Sequence, residues 1–142
     1  MKHIFVVDDN PGMLADLAKS AKQLFPQAEV EEFKYSNGIL GAIFDVKDRI
    51  LQEPEEYLMI IDMQMPPFTG GRIETDGGLG VLMELQRLEM KGPAILASSE
   101  PIDEEKARGV YAAYKGFVRY RVWMDSKDAM RDVLKEYIIV SE

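Results

Sequence analysis

The feature of this sequence that most restricts its fold is the alternation of short apolar runs with longer amphipathic segments. Residues 4–7, 58–61 and 94–97 are brief, continuous apolar runs, typical of strands buried on both faces. A mixed run at 28–35 and a run that begins at Phe117-Val118 complete five predicted strands. Apolar residues at three- and four-residue spacing predict five helices, at 10–25, 39–51, 81–90, 107–114 and 129–138. This alternation predicts an α/β fold with one parallel sheet covered on both faces.

The polar and conformationally special residues between these segments predict how the elements begin and end. Asn10 and Pro11 suit the cap and the first position of the first helix. Ser36-Asn37-Gly38 predicts a turn, and the charges within 28–35 predict an edge strand. Residues 66–80 contain five glycines and two prolines, so we expect a long loop there.

Length and charge exclude several classes of protein. A chain of 142 residues predicts one domain, spanning 1–142. The net charge of −8 disfavours nucleic-acid and membrane partners, because phosphate backbones and anionic lipids would repel it. With no cysteine, no signal peptide and no long apolar segment, we expect a cytoplasmic protein.

Polar residues follow three of the predicted strands: Asp8-Asp9, Asp62 and Ser98-Ser99. In an open parallel sheet, the carboxyl ends of the strands form one edge, where ligands bind. Two carboxylates ~4 Å apart repel by about 4 kcal/mol at an effective dielectric of about 20. A shifted pKa, a cationic side chain or a metal must compensate, and an all-oxygen site suits Mg²⁺.

An aspartate at the end of a strand is often only a helix cap or a turn former. Asn10, however, can already cap the first helix. Asp62 precedes the loop Met63-Gln64-Met65-Pro66 rather than a helix, so capping is a poor explanation there as well. The acidic residues therefore indicate a metal site more strongly than a set of caps.

Three segments together resemble the receiver domains of two-component response regulators: IFVVDDN at 4–10, MIIDMQMP at 59–66 and PAILASSE at 93–100. The resemblance covers nearly the whole chain. It implies a flavodoxin-like (βα)5 fold with strand order 2-1-3-4-5. It also implies that helices 1 and 5 lie on one face of the sheet and helices 2, 3 and 4 on the other.

The resemblance also implies a phosphorelay function. Asp62 would accept a phosphoryl group from a histidine kinase or phosphotransfer protein, and only self-phosphorylation and self-dephosphorylation would be catalysed. Ser98 and Phe117 match the switch hydroxyl and the switch aromatic residue, while Gln64 and Glu100 fall where receivers tune the lifetime of the phosphate. The implied Mg²⁺ ligands are Asp9, Asp8 through a water, Asp62 and the backbone carbonyl of Gln64.

The sequence departs from the family pattern at the fifth strand. Tyr120 stands where receivers carry a lysine, and Arg121 stands at the following proline position. A tyrosine offers a hydroxyl but no charge. Phosphorylation with weak switching, replacement of the lysine by Arg119 or Arg121, and signalling without phosphate all remain open, although the retained acidic residues favour the first two.

Other features leave alternatives open. A phosphate-independent pseudo-receiver that acts as an interaction or dimerisation module is the second hypothesis. A haloacid-dehalogenase-type phosphatase is a remote third, because that class wants Asp-x-Asp where this chain has Asp8-Asp9-Asn10. The loop at 66–80 is either a lid over Asp62 or a tolerated insertion. The basic stretch within residues 102–137 is either a surface for a downstream protein or an ordinary solvated face, and a homodimer is a separate alternative.

Overall fold

The computed structural model describes residues 2–62, 77–87, 94–98, 118–123 and 132 of the chain. The strands in this part are β1 (His3–Val7), β2 (Glu29–Phe33), β3 (Tyr57–Asp62), β4 (Ala94–Ser98) and β5 (Val118–Trp123). The helices are α1 (Pro11–Leu24), α2 (Ser36–Gln52) and α3 (Gly77–Arg87), with a 3-10 turn at Pro54–Glu56 that the sequence pattern does not predict.

The described strands form one parallel sheet in the order β2-β1-β3-β4-β5, as predicted. β1 and β3 are buried along almost their whole length, because each lies between two neighbouring strands and beneath helices on both faces. β2 lies at the edge with Glu29, Glu31 and Glu32 exposed, in agreement with the edge position predicted from its charges.

Alternate residues of the strands enter two separate cores, one on each face of the sheet. α1 contributes Leu14, Leu17 and Ala21 to one core. α2 and α3 cover the opposite face, where Ile43 and Leu85 pack with the other half of the strand side chains. This partition agrees with the predicted positions of the first three helices. The predicted helices at 107–114 and 129–138 lie outside the described residues, apart from the helical Asp132.

α1 begins and ends as its sequence predicts. The Asn10 side chain accepts a hydrogen bond of 3.0 Å from the Met13 backbone amide, and Pro11 occupies the first helical position. At the other end, the amide of Phe25 donates to the Ala21 carbonyl, and Pro26 follows. Local capping chemistry therefore sets both ends of this helix.

Two predicted boundaries are wrong. The turn predicted at 36–38 is the first turn of α2, where Ser36 is buried and an added Cβ at Gly38 would lie 3.2 Å from Phe33 Cδ1. The loop predicted at 66–80 overlaps α3, which begins at Gly77. Glycine has low helix propensity, but packing of the helix that follows can override that preference.

Among the described helices, none has the length and hydropathy needed to cross a bilayer.

Candidate metal centre

The pairing of β1 with β3 brings Asp8 and Asp62 together. Val7 is in register with Ile61, and each aspartate is the next residue of its chain segment. The amide of Asp8 also donates a hydrogen bond of 3.0 Å to the Phe33 carbonyl, which extends the ladder between β1 and β2 by one residue. The backbone beneath Asp8 is therefore held by strands on both sides.

Asp9 completes a compact cluster at this edge. One carboxylate oxygen from each of Asp8, Asp9 and Asp62 lies within 4.8 Å of the others. Asp8 is 5% exposed and Asp62 is 3% exposed, while Asp9 is partly exposed. The convergence predicted for the ends of these strands is thus present in the fold.

Asp8 also has a local role that its sequence context does not predict. Its Oδ1 accepts a hydrogen bond of 2.9 Å from the backbone amide of Asn10. This contact between residues two apart is the turn that aspartate favours through its own side chain. Asn10 caps α1 as expected. The Asp8 side chain thus stabilises the turn before the helix, and the Asn10 side chain caps the helix itself.

The electrostatics of the cluster are unfavourable for a charged Asp8. The pKa of Asp8 is raised from 3.8 to about 6, mainly by burial; the hydrogen bond from the Asn10 amide lowers it, and the neighbouring Asp9 adds a smaller increase. Removing a carboxylate from water disfavours its charged form, and a second negative charge nearby does the same. α1 starts at Pro11, and the positive end of its dipole favours negative charge there.

The donor set fits a hard divalent cation. The three groups that converge offer only carboxylate oxygens, which are the ligands that Mg²⁺ and similar ions prefer. A divalent charge would offset both the burial of Asp8 and the smaller repulsion from Asp9 that together raise its pKa. Asp8, Asp9 and Asp62 are therefore the described residues that could hold such an ion.

The remaining predicted site residues are only partly covered by the described part of the chain. Ser98 ends β4, one residue beyond Ala97, which is in register with Asp62. Gln64, Glu100 and Phe117 lie outside the described residues, as do Ser99 and most of the 66–80 segment, so the roles given to them stay predictions.

β5 contains an irregularity that the sequence pattern does not reveal. Ala94 pairs with Val118, but the next residue of β4, Ile95, pairs with Tyr120, so Arg119 is an extra residue in the ladder. The strand then continues beyond Tyr120 to Trp123, which is in register with Ser98. Trp123 is thus the last residue of β5 at the carboxyl edge of the sheet.

Comparisons with known proteins identify the fold. No family model matches the sequence, and no curated protein matches it significantly. A response regulator receiver domain from Rhodospirillum rubrum superposes with a TM-score of 0.70 at 14% identity, covering 96% of this chain and 94% of that one. A response regulator from Colwellia psychrerythraea gives 0.67 at 18%, covering 96% and 95%. The BeF3-activated receiver domain of DrrB gives 0.62 at 16%, covering 98% of each chain. The chain thus has the receiver-domain fold predicted from its three motifs.

Proposed function

We propose that this domain is a phosphorelay receiver. It accepts a phosphoryl group on Asp62 from a histidine kinase or phosphotransfer protein, requires Mg²⁺, and signals through contacts with other proteins in the cytoplasm. The observation that carries the proposal is the convergence of Asp8, Asp9 and Asp62 within 4.8 Å at the carboxyl edge of a receiver-like sheet. Solved structures with this fold include one receiver domain described as activated by BeF3.

The proposed reaction uses Asp62 as the nucleophile. One oxygen of its ionised carboxylate attacks phosphorus, and the phosphorus–nitrogen bond of the donor's phosphohistidine breaks. The imidazole leaves with the bonding electron pair and takes up a proton from water. The product is an acyl phosphate, a mixed anhydride that water can cleave without a separate base, so only self-phosphorylation and self-dephosphorylation are expected of the domain.

Asp8 and Asp9 have the complementary task of holding the cation. A bound Mg²⁺ would neutralise the charge that develops on the transferred oxygens. Asp9, the more exposed of the pair, is the direct ligand in this proposal, and buried Asp8 acts through a water. The Asp8 amide donates to the Phe33 carbonyl and Asp8 Oδ1 accepts from the Asn10 amide, so these two hydrogen bonds keep the carboxylate at the edge before any ion or phosphate arrives.

The charge of the product provides the signal. A phosphoryl group adds about −1.5 to −2 charges at neutral pH. Ser98, at the end of the neighbouring strand, is the proposed hydroxyl that responds, and Phe117 the proposed aromatic partner. The proposed output surface, within residues 102–137, would bind a downstream protein or a second copy of the domain.

The experiment that tests the function is phosphorylation from a small donor. The protein is incubated with Mg²⁺ and acetyl phosphate, and its intact mass is followed with and without a chelator. We expect a phosphoryl adduct that requires Mg²⁺ and is released by hydroxylamine, as acyl phosphates are. Asp62→Asn should abolish the adduct, whereas Asp45→Asn, which alters an exposed carboxylate of α2, should retain it.

Other results would favour the alternatives. A folded protein that binds no Mg²⁺ and gains no phosphoryl mass would be a phosphate-independent interaction module. Steady turnover of phosphate esters would indicate the phosphatase class. The cost of burying two carboxylates beside a third argues against the interaction module, because a domain that binds neither ion nor phosphate gains nothing from that arrangement.

A further inference from the structure

One face of α2, outside its contact with the sheet, carries two exposed apolar side chains. Phe44 is 55% exposed, and Leu51, seven residues later on the same helix, is 43% exposed. Seven residues make close to two helical turns, so both side chains lie on one face, about 10 Å apart along the axis. Lys47 and Asp48 lie between them, three and four residues after Phe44, and therefore belong to the same face. These four residues form the α2 stripe.

We propose that the α2 stripe binds the α2 stripe of a second copy of this chain, with the two helices antiparallel. In a two-fold symmetric contact each pair of residues forms twice, once in each direction between the protomers. An antiparallel register that places Phe44 opposite Leu51 of the partner also places Lys47 opposite Asp48, because both pairs are centred on the same point of the helix. Apolar side chains thus meet at both ends of the stripe, and opposite charges meet between them.

The local contacts of the charged pair support this register. Lys47 Nζ lies 4.6 Å from the centroid of the Phe44 ring, which holds the ammonium beside the apolar end of the stripe. Adjacent residues of a helix do not face each other, so Lys47 and Asp48 of one protomer do not pair together. In the part of the chain that the structure describes, Asp48 forms no ion pair with its own chain, so its carboxylate can meet the partner's ammonium.

The charges also determine the direction of the two helices. A parallel arrangement would set Lys47 against Lys47 and Asp48 against Asp48, and like charges at a contact are unfavourable. The whole chain carries a net charge of −8, so two copies repel each other unless the surfaces that meet are locally neutral. α2 meets this condition, because its two acidic and two basic residues cancel. The edge strand β2, in contrast, exposes three glutamates and no basic residue.

α3 extends the apolar surface beside the stripe. It packs next to α2 and exposes Met83 to 60%, while Val81, Leu82 and Leu85 are buried in the core that α2 shares. One helix face with a neighbouring methionine remains small beside the area of about 1,200 Å² that stable complexes bury. We therefore expect a weak dimer, with a dissociation constant on the order of 0.1 mM.

Sedimentation equilibrium of the wild-type protein measures this association, over a range from about 0.02 to 1 mM. A chelator is present and a phosphoryl donor is absent, so that the acidic cluster plays no part. We expect a monomer–dimer equilibrium, and Phe44→Ser should weaken it by at least about 10-fold, because the apolar contact is lost at two symmetry-related places. A wild-type protein that stays monomeric over the whole range overturns the inference.

Charge reversal tests the antiparallel register. Lys47→Glu should weaken dimerisation by about 3- to 10-fold at low ionic strength, because the new carboxylate faces Asp48 of the partner twice. Asp48→Lys should have a similar effect, and the variant that carries both substitutions should return to within about 2-fold of the wild type. The double variant lacks the ammonium over Phe44, so its recovery cannot come from that contact.

Arg49→Glu is the matched control. It makes the same change in net charge as Lys47→Glu, but residue 49 lies about 200° around the helix from residue 47 and is exposed. It should change the dissociation constant by less than about 2-fold. A dimer that responds equally to Arg49→Glu and Lys47→Glu, or that the double variant fails to restore, would contradict the inference.

The inference and the proposed function can fail separately. A protein that dimerises through the α2 stripe but accepts no phosphoryl group would retain only the inference. A phosphorylated protein that stays monomeric would retain only the proposed function. Should Phe44→Ser fail to fold, the wild-type equilibrium and the charge variants still decide the matter.

Discussion

Asp8 and Asp62 are one residue beyond the paired Val7 and Ile61, so two neighbouring strands of one sheet end in carboxylates that lie side by side. Both are buried, at 5% and 3% exposure. The sheet itself brings these two carboxylates together, because parallel strands that end at the same level present their next side chains to the same edge. The consequences of this proximity can be measured in the metal-free protein as well as in the loaded one.

Asp8→Asn should stabilise the metal-free protein near neutral pH. Burial and Asp9 raise the pKa of Asp8 in the folded state from 3.8 to about 6, so between these values the folded protein binds more protons than the unfolded chain. The contribution of Asp8 to stability therefore falls as pH rises through this window. We expect Asp8→Asn to raise the free energy of unfolding by about 1 to 2 kcal/mol at a pH of about 8 and by much less at about pH 4.5.

Urea denaturation at several pH values measures this difference. Asn retains an oxygen that can accept the hydrogen bond from the Asn10 amide, so the turn survives the substitution. Asp45→Asn, which removes an exposed carboxylate from α2, is the control for the loss of one negative charge. A difference in unfolding free energy between Asp8→Asn and the wild type that stays constant with pH would contradict the raised pKa of Asp8.

Mg²⁺ affinity should fall as the pH drops below about 6. The ion and a proton compete for the cluster, and the pKa of Asp8 is raised to about 6 in the metal-free fold. The dissociation constant, measured by calorimetry, should approach a tenfold increase per pH unit below that value. In Asp8→Asn the affinity should be lower at high pH and nearly independent of pH between about 5 and 7. If the dissociation constant changed equally with pH in the wild type and in Asp8→Asn, a group other than Asp8 would be responsible.

Asn10→Ala should destabilise α1 with little effect on the acidic cluster. The Asn10 side chain caps the helix through the Met13 amide, and loss of such a cap costs about 1 kcal/mol. The hydrogen bond to Asp8 comes from the main chain of residue 10 and is retained. Thermal or urea unfolding measures the loss, and Asn10→Ser, which keeps a capping oxygen, should restore most of the stability. An equal loss in both variants would show that the cap is not the cause.

Two glycines of α2 should respond differently to alanine. A Cβ at Gly41 would meet no atom within 4 Å beyond the adjacent residues and the backbone of its own helix, so Gly41→Ala should stabilise the protein by about 0.5 to 1 kcal/mol through helix propensity. At Gly38 the Cβ would lie 3.2 Å from Phe33 Cδ1, so part or all of that gain should be lost to the displaced ring. Unfolding free energies of the two variants test this directly. An equal increase in stability at both positions would mean that the Phe33 ring moves aside without destabilising the protein.

The strand order and the acidic cluster could be predicted because both depend on patterns that survive in a single sequence. Continuous apolar runs indicate strands buried on both faces, and the residue after each run marks its carboxyl end. Because the carboxyl ends of parallel strands share one edge, the sequence alone predicts that Asp8 lies near Asp62. The cap at Asn10 was equally predictable, because Asn-Pro has one clear meaning at the start of a helix.

The features that could not be predicted depend on three-dimensional packing. The helical start at Gly77 and the helical turn at Ser36 contradict local propensity, and packing against the sheet determines them. The hydrogen bond from the Asn10 amide gives Asp8 a local role in the turn. Residue spacing alone cannot show whether an aspartate at this position has such a role. The extra residue at Arg119 carries no mark in the composition of β5.

That extra residue has a wider consequence. In most α/β proteins, the residue at the carboxyl edge of a strand is inferred from its position in a sequence alignment. Here a regular ladder from the Ala94–Val118 pair would place Arg121 level with Ala97, whereas the one-residue irregularity places Val122 at that level. The backbone path thus determines which residue of β5 stands at a given level of the sheet, and a change in that path would alter this assignment with no substitution at all.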